Sequence, residues 1–357
     1  MRPAAIRRRR GMPTIQRLAL AALPITLVVA VATLVLRPAA ITEIVVHAAA
    51  PTSTPPPDPP LIDRVEVLAP IVVGSLALSP IVLRDAAGPE PDLLVLDEAL
   101  SIDAVEILES HEVGNLIFAN RSNRDVLLLA GEVILGGHQD RIIANSTVLS
   151  AHVTEKVPVY CVEQGRWGGS SDRFETAHAI AHQRLRAKAS FHDQDDVWAE
   201  VATSNATQQI ASKTGTYRDA AARQLDAATE RERRLIARTL AELPVQQRGR
   251  LVGIAASING KPTSVDVFAS PALFGKIQMK LLRAYLTDAR GIAADPATQP
   301  PDAAAVRAFS DGLRKSAVAR TYANNAAASE TRIGDRVGST RLGSRAYGSL
   351  VEAVNSD

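Results

Sequence analysis

Leu251-Val252-Gly253-Ile254-Ala255-Ala256-Ser257-Ile258-Asn259-Gly260-Lys261-Pro262-Thr263-Ser264-Val265-Asp266-Val267-Phe268 is the stretch on which the fold turns. Two β-type runs, Leu251–Ser257 and Thr263–Phe268, flank Asn259-Gly260, the residue pair best suited to a tight primed turn. On its N-terminal side lie helical patterns at Phe174–Ser190, Gln194–Ala202 and Tyr217–Leu243. In the last of these, Ala221, Leu225, Ala228, Leu235, Ile236 and Leu240 recur at largely three- and four-residue spacing, with Arg and Glu on the other face. Earlier still come short β-type runs at Val65–Leu68, Ile71–Leu78, Leu93–Leu96, Val105–Glu109, Leu116–Asn120, Val126–Leu129 and Val157–Glu163. The Asn, Asp and Ser of residues 120–125 read as a hairpin turn between two of them. Beyond the hairpin, helices are expected at Pro271–Ala289 and Ala303–Ala319, then a tail rich in Gly, Ser and Ala with one last strand near Ala346–Ala353. Strands in a block, then helices, then a hairpin predict an α+β fold with a largely antiparallel sheet and packed helices.

Further outward, the N-terminus has a different character. The 357 residues are 46% hydrophobic and 22% charged, which excludes a wholly disordered chain or a multi-span membrane protein. One cysteine excludes an intramolecular disulfide framework and any multi-cysteine metal site. The net charge of +2 is unevenly spread: residues 1–37 hold seven arginines and no acid, so 33 basic residues face 38 acidic ones beyond Arg37. Leu18–Leu36 is an uncharged run of 19 residues, close to the ~20 that cross a bilayer core. The arginines at 7–10 and 17 predict that the N-terminal flank stays in the cytoplasm. A cleaved signal peptide has a shorter apolar region, of about 7–15 residues. The residues after Arg9-Arg10 do not match a twin-arginine signal, and a buried core helix is hard to place beside a basic terminus and a linker. Six prolines in residues 51–60 then form a semi-stiff polyproline spacer, with a proline-recognition ligand as the other reading. The predicted organisation is a cytoplasmic basic segment 1–17, a transmembrane signal anchor 18–36, a Pro-rich stalk 37–62 and an extracytoplasmic domain 63–352.

The unusual residues are central. Leu127–Glu132 runs into Leu135-Gly136-Gly137-His138-Gln139-Asp140-Arg141, followed by Val157-Pro158-Val159-Tyr160-Cys161-Val162-Glu163-Gln164-Gly165-Arg166-Trp167. With Leu96–Leu100, Asp193–Trp198 and Val265–Phe268 in the same order, these blocks resemble a family of uncharacterised bacterial domains. It is the ADP-ribosylglycohydrolase- and rhodanese-phosphatase-superfamily-associated protein domain, and the resemblance spans roughly residues 63–350. The family name records association with ADP-ribose-processing and phosphatase-like proteins and carries no mechanism. His138 stands where a lysine is more usual, and the anchor and stalk are additions to the domain.

The residues themselves suggest a ligand site. Gly136-Gly137 lets backbone amides approach a ligand, and Arg141 and Arg166 offer planar forks for phosphate or carboxylate. Glu132, Gln139, Asp140, Glu163 and Trp167 would complete one pocket for a phosphorylated or nucleotide-like small molecule, in a ligand-binding or sensing module. The alternative is a hydrolase on an ADP-ribose-like or phosphorylated substrate, with Glu132 or Glu163 as general base. A third reading is an internal polar network that only fixes the fold, making the domain a structural scaffold. Cys161 suits either a nucleophile or a small buried hydrophobe in a strand. His178 and His182 have the i, i+4 spacing of a helical zinc pair, but no third ligand is evident, and no metal or cofactor is expected. Asp193 or Asp195 caps a helix on which Trp198 is a core anchor, and Asp266 either joins the polar cluster or faces solvent. The acidic exterior domain argues against nucleic-acid binding; the membrane, through residues 18–36, and a small-molecule ligand are the expected partners. No protein partner is named by the sequence, though the 217–243 helix could offer a surface.

Overall fold

Strands Leu251–Ile258 and Lys261–Phe268 pair antiparallel, and Asn259 and Gly260 take φ of 44° and 74°, the left-handed pair that a primed turn requires. The structure, a computed structural model, describes residues 61–86, 92–169, 171–314, 318–324, 327–333, 337–344 and 348–355. The hairpin lies inside a nine-stranded sheet: Leu76–Leu83 pairs with its first strand and Gly348–Asn355 with its second. Val65–Val67 and Ile71–Val73 both add to Leu76–Leu83, and a C-terminal meander of Val318–Ala323, Ala327–Ile333, Val337–Ser344 and Gly348–Asn355 completes the sheet. On one face the Pro271–Ala289 helix buries Phe274, Ile277 and Leu281 against Leu78, Ile254 and Phe268. That helix starts where Ser270 accepts from the Leu273 amide and Pro271 occupies the first turn. On the other face Val65, Ile81, Val252 and Val265 pack with Val306 of the Ala303–Arg314 helix.

A six-stranded antiparallel sheet runs in the order Phe174–Ile180, Glu132–Gly136, Arg141–Ile143, Thr154–Cys161, Asn115–Asn120, Val105–Glu109. It curls until its edges meet: Leu108 bridges Arg173, and the Glu109 amide donates to the Asp172 carbonyl at 3.0 Å. Inside the curl the inward positions of each strand, among them Val105, Ile107, Phe118, Ile134, Val157 and Phe174, form one core. Val133 and Ile142 point outward into a second layer made by helices Gln183–Phe191, Gln194–Thr207 and Arg218–Arg223. A small sheet of Thr147–Leu149, Asp125–Leu128 and Leu93–Val95 contains the one parallel pairing among the described strands. The fold is therefore α+β and largely antiparallel.

Several local expectations are corrected. Residues 174–180 form a strand, and the helix begins only at Gln183. Pairing with Glu132–Gly136 overrides the helical leaning of the alanines, whose small side chains fit the helical layer outside. The turn at residues 120–125 joins strands of two different sheets, so it is no hairpin; Asn120 Nδ2 donates to the carbonyls of Arg124 and Ser150 and holds the crossover. The 217–243 pattern breaks into Arg218–Arg223 and Ala227–Ala241, because Asp226 caps the second helix by accepting from the Thr229 amide. The 71–78 run folds back at Gly74, φ 61°, and the tail contributes four strands rather than one. Asp193 caps the 194–207 helix, but Trp198 is only half-buried. The expected anchor 18–36 and residues 37–60 of the expected stalk lie outside the described residues, Leu61 at the stalk's end is buried with the domain core, and no helix among the described residues is long and apolar enough to cross a membrane.

Candidate functional site

The seven residues expected in one pocket divide into three groups. Gln139, Asp140, Arg141, Glu163 and Arg166 converge where the 136–140 turn meets the segment leaving Cys161. Asp140, fully buried, accepts from the Gly136 amide at 2.9 Å, from Thr216 Oγ1 at 2.8 Å and from both Nε and Nη2 of Arg218, at 3.1 and 2.7 Å. Arg166 reaches the same carboxylate at 3.3 Å, donates to Glu163 Oε2 from Nε at 2.9 Å and to the Gly137 carbonyl at 2.7 Å. Gln139 Nε2 donates to the Glu163 carbonyl at 2.6 Å. Burial pushes the Glu163 carboxyl up, but hydrogen bonds from Arg166, Thr214 and the Asp140 amide more than offset it and leave the group below the usual range. Arg141 is 1% exposed, bonded to the Gln139 carbonyl at 2.8 Å and 3.8 Å from Glu109. The Asp140 and Glu163 carboxylates pair with the Arg166 and Arg218 guanidiniums and tie the 163–169 segment to the Gly-Gly turn, while the buried Nε of Arg141 has no partner among the described residues.

Trp167, 67% exposed, stands at the rim of this group with its ring 5.8 Å from that of His138. Cys161 is buried inside the curled sheet beside Arg141 and Glu109, and its thiol is pushed up by burial. Asp266 joins neither this group nor solvent: it is buried, held by Arg186 Nη2 at 2.8 Å and by the Tyr285 hydroxyl at 2.5 Å.

Glu132 belongs to another cluster. Its Oε1 lies 2.5 Å from Lys280 Nζ and its Oε2 accepts from the Leu129 amide at 2.9 Å; both side chains are buried. Lys280 projects from the buried face of the Pro271–Ala289 helix and also reaches Asp97 Oδ1 at 3.0 Å. Burial alone would lower the lysine, but Glu132 and Asp97 together hold it above its ordinary value, so it stays charged. Asp97 in turn accepts from Thr176 Oγ1 at 2.7 Å and sits 3.3 Å from His178 Nδ1. Burial pushes the Asp97 carboxyl up, and Lys280 and Thr176 bring it below the usual range.

This chain of contacts ends at an opening. Beyond the Leu108–Arg173 bridge the two edge strands of the curled sheet part, and a cleft of about 450 Å³ lies between them and the 96–101 helix. The 174–180 strand carries a bulge between Thr176 and Ile180, and there His178 adopts a left-handed φ of 53° with its side chain 61% exposed. Arg121 and Arg173, both exposed, line the same cleft, and each is ion-paired to Glu106.

Of these cleft residues, Asp97 was visible only as part of the Leu96–Leu100 block and His178 only as half of a metal-like pair. His178 and His182 share no helix face: His182 is buried ahead of the 183–191 helix, with Nε2 2.9 Å from Glu200 and Nδ1 2.9 Å from the Tyr217 hydroxyl. No group of three or more potential metal ligands occurs among the described residues. Lys280 had one signal, a lysine in phase with Ile277, Leu281 and Ala284; Glu106, Arg121, Arg173 and Arg218 had none.

No curated protein and no solved structure matches the chain. A family model does, over residues 64–350, which takes in both clusters and the cleft. The chain therefore belongs to the ARG and Rhodanese-Phosphatase-superfamily-associated Protein domain family.

Proposed function

We propose that this domain is a binding module for a phosphorylated small molecule, nucleotide-like ligands included, held outside the membrane by its N-terminal anchor. The ligand seats in the cleft at the seam of the curled sheet. One observation carries this reading: two exposed guanidiniums, Arg121 and Arg173, stand together on Glu106 in the wall of a 450 Å³ cavity, and they form the anion-binding edge of a cleft whose lining otherwise includes Asp97, Asp103 and Glu175. That volume falls in the ~300–1,000 Å³ range of small-molecule sites, and each guanidinium keeps donors for phosphoryl oxygens. By contrast, Arg166 and Arg218 are committed to Asp140 and Glu163. The anchor rests on the uncharged run 18–36 with arginines before it, and the spacer on the prolines of residues 51–60.

Calorimetry of the full-length chain with ADP-ribose, adenine nucleotides and sugar phosphates tests the reading. Binding that weakens at least tenfold in Arg173→Ala and not in Trp167→Ala supports the cleft. The opposite pattern moves the site to the rim near Arg166 and Trp167. Binding of none of these ligands would leave the domain a scaffold.

A further inference from the structure

We propose that the cleft is also catalytic, a hydrolase site for phosphate esters in which His178 is the general base. This inference rests on the cleft as the ligand site. Three features of the molecule converge on it. First, among the described residues of the cleft wall His178 is the one imidazole, and a strand bulge aims it there in a left-handed conformation that a β-carbon disfavours. Second, the carboxylate of Asp97 lies 3.3 Å from Nδ1, close enough to orient the ring from that side. Third, Asp97 is itself held by Thr176 at 2.7 Å and by the buried Lys280 at 3.0 Å, with Glu132 behind the lysine at 2.5 Å. A surface ion pair needs no such backing. A buried lysine between two carboxylates keeps Asp97 anionic and fixed, as an orienting partner of a base must be.

Chemically the step is a hydrolysis. His178 Nε2 takes a proton from a water as the water oxygen bonds to phosphorus. The bond from phosphorus to the alcohol oxygen breaks, its electron pair stays on that oxygen, and the imidazolium returns the proton to it. Ester and water become phosphate and alcohol, with nothing oxidised or reduced. Arg121 and Arg173 donate to the phosphoryl oxygens as charge develops on them. Asp97 and Lys280 are positioning residues.

The test uses the full-length chain with p-nitrophenyl phosphate and bis(p-nitrophenyl) phosphate as substrates, and inorganic phosphate as the binding probe. Wild type should release nitrophenolate from at least one ester. His178→Asn, whose new side chain tolerates the left-handed backbone, should lower kcat at least 100-fold while inorganic phosphate binds within about twofold of wild type. Asp97→Asn should lower kcat at least tenfold at unchanged KM, and its melting curve shows whether the variant is folded. Phosphate binding without turnover of either ester overturns the catalytic inference and leaves the binding module standing. Turnover that survives His178→Asn overturns the assignment of the base. Neither binding nor turnover overturns both readings.

Discussion

Lys280 is the residue that joins the buried Glu132 to the cleft. It is buried with Glu132 and reaches Asp97, so removing it strands one carboxylate in the core and frees another at the cleft. Lys280→Met should cost about 3 kcal/mol in urea unfolding, the low end for breaking a buried pair because the Glu132 carboxyl can take up a proton. Adding Glu132→Gln to Lys280→Met should recover part of that loss, and a double-mutant cycle measures the coupling. A second prediction concerns Asp288, part-buried beneath the 183–191 helix, whose carboxylate accepts from the Gln183 amide at 2.9 and 3.0 Å. Burial pushes its carboxyl up to about 6, with His182 and that amide opposing. Because the folded value is raised, the protonated form favours the fold: the stability Asp288 contributes is full below about pH 4 and lost as pH rises through about 6. The loss is on the order of 1–2 kcal/mol once the partial exposure of the carboxyl is allowed for, and Asp288→Asn should flatten this part of the stability–pH curve. At this scale the sequence was informative about which residues are unusual. Asp140, Glu163 and Arg166 do meet, because two short motifs place them on neighbouring segments. It was silent on Arg218 and Thr216, which come from a separate helix and its approach.

Among the elements, the turns separate what composition can reveal from what packing imposes. Gly74 and Gly137 both take positive φ, 61° and 49°. A β-carbon on Gly74 would meet nothing within 4 Å, whereas on Gly137 it would meet Phe174 Cζ at 2.2 Å and Glu109 Oε1 at 2.5 Å. Gly74→Ala should therefore cost about 1 kcal/mol from backbone strain alone, and Gly137→Ala about 2–4 kcal/mol from strain and overpacking together. Chemical denaturation of the two variants side by side decides this. The Asn259-Gly260 hairpin and the Pro271–Ala289 helix were legible, since their signals are local: a primed turn, a serine cap, a proline at the first turn. The 174–180 strand was not, because its alanines and its histidine spacing suit a helix until a neighbouring strand offers its backbone. The strands 132–136, 141–143 and 147–149 escaped for a related reason: each is five residues or fewer, and the first two carry a charged residue that pairs inside the molecule.

For the whole molecule, the charge distribution predicts a topology. Seven arginines precede or bound the uncharged run at 18–36, and the remainder is net acidic. A tag placed after Asp357 should be cut by external protease in intact cells, and protection of that tag would overturn the proposed orientation. An acidic domain does not draw anions by its overall field, so any phosphorylated ligand must be captured by local arginines close to the site. Taken by itself, the sequence determined the fold class, the extent of the family domain, the central hairpin and some of the polar residues in its core, Asp140 and Glu163 among them, because those follow from periodicity, turn chemistry and short motifs. Only the tertiary structure decided how the polar residues are shared out. It drew Glu132 away to Lys280, closed Asp140 within a shell of arginines, and brought Asp97, His178, Arg121 and Arg173 to one cleft. Those groupings arise where a curled sheet meets at its edges and a helix from the far end of the chain packs across it. Contacts between residues so distant in sequence leave no local pattern to read.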